Sequence, residues 1–222
     1  RIGKGTHKAT NRFRDFTYKV SKNNTKQCWI LKCDIRKFFA SIDQEILIDI
    51  LKKHVTDKNI LWLMEKVIRS FYSTEIGRGL PLGNLASQLL VNIYMNEFDQ
   101  YIKHQLKVKY YIRYADDFVL ISQDKNYLSQ TLRYIERFLK DKLNLQLHPD
   151  KVFIKTLSSG VDFLGWVHFG THRILRTATK RRMLRNLKGN SKEETKESYL
   201  GLLKHGNTFI IKKVLETLEA KS

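Results

Sequence analysis

The chain of 222 residues is short of the features that mark several large protein classes. It holds two prolines and no low-complexity tract, which excludes long Pro-rich linkers and extended disorder. It holds two cysteines, Cys28 and Cys33, too few for a disulfide scaffold, and without a nearby histidine pair they make no zinc site. Their odd spacing in "CWILKCDI" would point them to opposite faces of one strand. No disulfide is therefore expected between them, and a reduced, cytoplasmic protein is. No apolar run reaches transmembrane length and no signal peptide is visible, so no membrane partner is expected. No repeat period is present. The first residue is Arg1 rather than Met, so the natural chain is expected to begin upstream.

Negative charge is also scarce. Forty-one Lys and Arg face 22 Asp and Glu, a formal net charge of +19, which suggests a polyanionic partner, above all nucleic acid. Residues 1–37 carry 11 basic and 2 acidic side chains, and residues 170–222 carry 13 and 5. The stretch between them carries 17 and 15. Two basic ends thus flank a nearly neutral middle.

Hydropathy periods outline the elements. "GTHKATNRFRDFTYKV" (5–20) reads as a basic helix and "CWILKCDI" (28–35) as a strand. Asp43 can cap the helix "QEILIDILKKHV", and 57–72 is a second amphipathic helix. A glycine-rich loop spans 76–84, and one long helix is predicted over 85–106. A hairpin follows, Tyr110–Tyr114 and Phe118–Ser122 about Ala115-Asp116-Asp117, then a clear amphipathic helix over 125–143. "LQLH" and "VFI" read as short strands, 161–169 starts a hairpin, and helices are predicted over 177–188, 191–205 and 207–219. Strand, helices, hairpin, helix, strands is the order of an α+β core: an antiparallel sheet with helices on one face, then a helical appendage.

Within that neutral middle, "YYIRYADDFVLIS" (110–122) places two adjacent carboxylates, Asp116 and Asp117, in a run built for burial. Asp is depleted in strands, and neighbouring like charges repel. A polar hairpin turn would account for the pair by itself. Asp34, however, ends the strand "WILKCD", where alternation puts Ile30, Lys32 and Asp34 on one face. A neighbouring strand could bring Asp34 beside Asp116 and Asp117. Cations would neutralise such a cluster, and hard oxygen donors select Mg²⁺ or Mn²⁺. Two such ions about 3.5–4 Å apart serve in-line phosphoryl displacement.

The "CDIRKFFASI" run (33–42), "YADD", "LHPDK" and "FLGW" resemble, in order and spacing, the successive palm motifs of reverse transcriptases. The resemblance covers most of the chain. It implies a polymerase palm at 28–169 with finger-side helices over 43–84, partial fingers at 1–27 and a helical thumb at 170–222. It implies RNA-directed DNA polymerisation with two Mg²⁺ (or Mn²⁺) ions, an RNA template, a DNA primer and dNTPs. Asp34, Asp116 and Asp117 become the acidic cluster, with the Ile35 carbonyl as a further metal ligand. Phe39 falls where the family keeps an aromatic gate against the ribose 2′-OH. Ala115 lies near the incoming nucleotide and Tyr114 near the primer end. Lys151 resembles the lysine that protonates the departing pyrophosphate. Phe163, Leu164 and Gly165 of "FLGW" resemble the primer grip, while Phe38 is expected in the core.

The loop narrows the resemblance. Group II intron and retron enzymes read "PQGxxxSP" here, whereas this chain reads Pro81-Leu82-Gly83-Asn84-Leu85-Ala86-Ser87-Gln88. An aliphatic residue at Leu82, followed by Gly83 and by Gln88 in place of the second proline, resembles reverse transcriptases of diversity-generating retroelements. That group implies error-prone copying, with a small basic accessory protein as partner. Leu82 cannot hydrogen-bond a nucleotide as Gln can, so discrimination would fall. A retron, group II intron-like or phage-defence enzyme, or a catalytically silent nucleic-acid-binding relative, stays open on the residues alone.

Overall fold

The computed structural model describes residues 5–73, 75–187 and 193–209. In chain order the elements begin with α1 (Thr6–Val20), β1 (Trp29–Asp34), α2 (Phe38–Ser41), α3 (Gln44–Lys52) and α4 (Lys58–Arg69). Next come α5 (Leu85–Tyr94), α6 (Asn96–Gln100), a π-helical turn at Tyr101–Gln105, and the hairpin strands β2 (Tyr111–Tyr114) and β3 (Asp117–Ser122). The chain continues with α7 (Lys125–Leu143), β4 (Phe153–Thr156), β5 (Val161–Phe163), β6 (Trp166–His168) and β7 (Arg173–Leu175). Helices α8 (Thr177–Leu187) and α9 (Glu193–Leu203) complete the described part, and most of the helix expected over 207–219 lies outside it.

These elements form two compact units, one of Ile30–Ile154 and one of Arg1–Trp29 with Lys155–Ser222. The first holds a sheet in the order β2-β3-β1-β4, whose end strands β2 and β4 flank β3 and β1. The inner strands are buried almost throughout, which is why "FVLI" reads as a continuous apolar run and "WILKC" as one broken only by Lys32. Helix α7 packs on β3, and α3 lies against α4 and α5. Each helix start has its chemical cause. Asp43, Asp57 and Asp124 cap α3, α4 and α7 by accepting two backbone N–H bonds apiece, and Asn84 caps α5. Helix α7 stops at Asn144, in the left-handed conformation Asn tolerates (φ 48°).

The helix predicted over 85–106 is not continuous. Helix α5 ends at Tyr94, and the chain winds on through α6 into the π turn. Tertiary bonds hold this path: the buried Tyr94 hydroxyl donates to the Leu143 carbonyl at 2.6 Å, and the Tyr101 ring stacks on Phe138 at 4.1 Å. "LQLH" forms no regular strand; Leu147 makes a single bridge to Ile35.

The second unit contains a three-stranded antiparallel sheet, β5-β6-β7, of which β7 was not expected. Trp166 and Leu175 from this sheet pack with Met183 of α8 and Leu203 of α9. Helix α1 buries Phe13 against Phe163 and His168.

Candidate active site

The site starts from a register. Hairpin pairing sets Tyr114 opposite Asp117, so β3 begins one residue earlier than its apolar run indicates and the turn is only Ala115-Asp116. Ala115 sits at φ 55°, a left-handed conformation that costs an L-residue about 1 kcal/mol or more. In β3, Asp117 lies at the first position; in β1, its hydrogen-bonded neighbour, Asp34 lies at the last. Lys32 shares its β1 face with Asp34 and reaches Asp117, with Nζ 3.4 Å from Oδ1. The approach is long, so Asp117 Oδ1 is a buried acceptor compensated mainly by the Lys32 charge.

Lys151 supplies a second cation. Its Nζ lies 3.3 Å from both oxygens of Asp34. Backbone geometry delivers it there: His148 N–H donates to the Asp34 carbonyl at 2.8 Å, and the following 3-10 turn, Pro149–Lys151, is capped by the His148 ring. The three carboxylates and two lysines form one electrostatic group. Burial raises the Asp116 carboxyl above the usual carboxylate range; the Asp34 charge adds to this, and Lys151 and Lys32 oppose it. Asp117 is pushed up to about 6, mainly by burial, with Asp34 and Asp116 adding and Lys32 opposing.

The other residues singled out in the sequence fall into three places. Ile35 is buried behind Asp34 and bridges to Leu147. Phe38 is in the core, and Phe39 is half-buried, edge-on to it with centroids 5.6 Å apart. The glycine loop is tied to this segment by Leu80 N–H to the Phe39 carbonyl (2.9 Å) and Gly79 N–H to the Ile42 carbonyl (2.8 Å). Leu82 on that loop is 79% exposed, Gly83 takes φ 80°, and Gln88 is exposed on α5. Tyr114 is partly exposed beside the turn. Phe163, Leu164 and Gly165 belong to the other compact unit. Phe163 there is core, while Leu164 and Gly165, both at positive φ, make the tight β5–β6 turn.

Two groups escaped the sequence reading. Lys32 was visible as sharing a face with Asp34, but its partner lies far along the chain. Beneath the hairpin, Arg113 forks onto Asp99 of α6 with Nε–Oδ1 at 2.9 Å and Nη2–Oδ2 at 2.6 Å, and the Tyr111 hydroxyl joins Oδ1 at 2.7 Å. Among the described residues no three His, Cys, Asp or Glu side chains are grouped so as to hold a metal ion by themselves. The same residues include no helix long and apolar enough to cross a membrane, and both cysteines are free and buried.

An antiparallel sheet covered by helices, with acidic strand ends gathered at one place, is the palm architecture of template-directed polymerases. Solved structures agree on the fold. Telomerase from Candida tropicalis in complex with a TWJ fragment of telomeric RNA superposes with a TM-score of 0.63 at 12% identity, over 98% of this chain and 44% of that one. The apo Candida tropicalis telomerase truncated from its C-terminal domain gives 0.61 at 16% identity, over 78% and 40%. Residues 2–168 match the reverse transcriptase (RNA-dependent DNA polymerase) family, and the chain belongs to that family. Among its relatives, protein YkfC of Escherichia coli K12 is 26% identical over 70% of this chain and 49% of its own length. The group II intron-encoded protein LtrA of Lactococcus lactis subsp. cremoris is 22% identical over 62% of this chain and 34% of its own length. The COX1/OXI3 intron 2 protein of Saccharomyces cerevisiae is 24% identical over 65% and 24%. The chain thus spans about a quarter to a half of the length of these relatives.

Proposed function

We propose that this chain is the catalytic core of an RNA-directed DNA polymerase that extends a DNA primer on an RNA template. The observation that carries the reading is the meeting of Asp34 with Asp116 and Asp117 at adjoining strand ends, inside the segment matched by the family. The donors are hard oxygens, carboxylates of Asp34 and Asp116 drawn to one place where burial and the Asp34 charge raise Asp116, which fits Mg²⁺ or Mn²⁺. Asp34 and Asp116, with the Ile35 carbonyl, would hold the ions, and Asp117 would complete the negative field while paired to Lys32. A site with two carboxylates suits Mg²⁺, which usually takes one or two from protein and the rest from substrate phosphates and water. Bound there, two ions would supply Lewis-acid stabilisation of the attacking and leaving oxygens.

The chain's own residues take the remaining roles. Lys151, whose Nζ lies 3.3 Å from both Asp34 oxygens and so stands at the acidic cluster, would donate a proton to the departing pyrophosphate. Phe39 would close the sugar pocket against a 2′-hydroxyl, with Leu82, Gly83 and Ala115 about the nucleotide. Tyr114, Gln88 and the Phe163–Gly165 turn would steady primer and template. Residues 1–27 would serve as partial fingers, 28–169 as palm and 170–222 as thumb. Extension of oligo(dT) on poly(rA) with dTTP, with and without Mg²⁺, tests the activity. No extension at any Mg²⁺ or Mn²⁺ concentration would refute it.

For the subgroup we favour the error-prone, diversity-generating type, with a small basic accessory protein as partner. Leu82 and Gln88 in the loop carry this reading. Leu82 offers no hydrogen bond and is solvent-exposed rather than packed, so it is free to face a nucleotide. Likeness to LtrA and the yeast intron protein favours a group II intron-like enzyme instead. Errors concentrated at template adenines would separate the first from the second.

A further inference from the structure

Opposed residues of an antiparallel pair share a face. Tyr114 and Asp117 therefore point to one side of the hairpin, and Arg113 with its partner Phe118 points to the other. On that other side Phe98 of α6 packs on Phe118 at 5.1 Å, and Asp99 follows Phe98 in the chain. Arg113 thus lies on the helix-covered face, with its side chain 5% exposed, away from the carboxylates. It uses two nitrogens on Asp99 and sends the third, Nη1, to the carbonyl of Ala115 at 3.0 Å. That carbonyl belongs to the residue at φ 55°, directly before Asp116. A left-handed alanine persists only where its surroundings hold it.

We propose that Arg113 is a positioning residue: anchored to Asp99 and Tyr111, it fixes the Ala115-Asp116 turn from beneath and so sets where the Asp116 carboxylate stands. The inference rests on the polymerase reading for its functional consequence, though not for its geometry. The arginine needs all three directions of its fork. Lysine keeps the charge and three N–H donors, but all sit on one nitrogen at the end of a flexible stem, so it lacks the fixed, spread directions with which the guanidinium reaches both Asp99 oxygens and the Ala115 carbonyl. The brace also joins α6 to the turn.

Two variants of the full chain separate positioning from simple stability. Arg113→Lys keeps the charge opposite Asp99 and gives up the rigid fork that holds the Ala115 carbonyl in a fixed direction. The double variant Arg113→Met with Asp99→Leu removes both buried charges together, which commonly restores stability where removing one does not. In both, primer extension is expected to lose roughly a hundredfold in kcat, the usual cost of about 1 Å of misplacement, with KM for primer–template unchanged. A second readout needs neither metal nor substrate: the ¹³C shifts of Ala115 Cα and Cβ, which report its left-handed conformation, should move toward averaged values in both variants. Variants that melt like wild type, keep its kcat and keep its Ala115 shifts would overturn the proposal. So would variants whose melting temperature falls while kcat per folded molecule and the Ala115 shifts stay put, since the arginine would then be structural only. If wild type itself fails to extend a primer, the polymerase reading fails, and the Ala115 shifts still decide whether Arg113 holds the turn.

Discussion

Replacing Leu82 with Gln should raise copying fidelity at almost no cost in stability. Leu82 is 79% exposed between Pro81 and Gly83, and Gly83 takes the positive φ the turn needs, so the substitution leaves both core and turn intact. Exposed substitutions of this kind change stability by within about 0.5 kcal/mol. The gain is one hydrogen bond to a correctly placed nucleotide, worth about 0.5–1.5 kcal/mol. If the bond forms only with correct pairs, misincorporation should fall roughly twofold to twelvefold, since ~1.4 kcal/mol is tenfold. The assay is single-nucleotide misinsertion opposite each of the four template bases, with melting curves and total incorporation alongside. On the diversity-generating reading proposed above, the largest fall is expected opposite template adenine. A folded, active variant with an unchanged error spectrum would refute the reasoning and leave Leu82 as a bystander on the loop.

Three further outcomes follow from individual groups. Phe39→Val should raise ribonucleotide acceptance about tenfold, the lower end of what one steric group discriminates; equal rejection by both forms would make Phe39 a packing residue. Lys32→Met should cost about 1 kcal/mol in denaturant unfolding at pH ~7, because the buried Asp117 carboxyl, already pushed up to about 6, then loses its cation and takes up a proton, and adding Asp117→Leu should recover most of that; an unchanged midpoint in the single variant would discount the ion pair. His168, 3% exposed and bonded through Nε2 to the Phe163 carbonyl, is pushed down to about 4, first by burial and also by Arg173. Because its folded value is depressed, its contribution is present above pH ~6.5 and is lost as pH falls toward 4, amounting to about 3 kcal/mol. His168→Gln should flatten that part of the stability–pH curve, and an identical slope in the variant would count against this assignment.

The elements most legible in the sequence were those whose signals agree. Helix α7 spans 125–143 as read from its apolar stripe, and the structure adds the Asp124 cap and the Asn144 stop at the same limits. The run over 85–106 misled because periodicity reports which face is buried and not whether the axis is straight. The Tyr94–Leu143 bond and the Tyr101–Phe138 stack, which hold the observed path, join residues distant in sequence. Strand β7 has three residues, too few for any period to emerge. At the site, Asp34, Asp116 and Asp117 were conspicuous because carboxylates are out of place in apolar strands. Lys32 and Arg113 were not, because a basic residue in a basic chain draws no notice until its partner is seen. What gives each of them meaning, Asp117 and Asp99, is supplied by strand order and by the broken helix.

The measurement that bears most directly on the central claim is metal-dependent primer extension by the chain and by its Asp116→Asn variant. Asn keeps the size and the turn while removing the charge. The account predicts dTTP incorporation on poly(rA)–oligo(dT) that needs Mg²⁺ or Mn²⁺ and is abolished in the variant, with primer–template binding and melting temperature nearly unchanged. A variant that extends primer as well as wild type would contradict it.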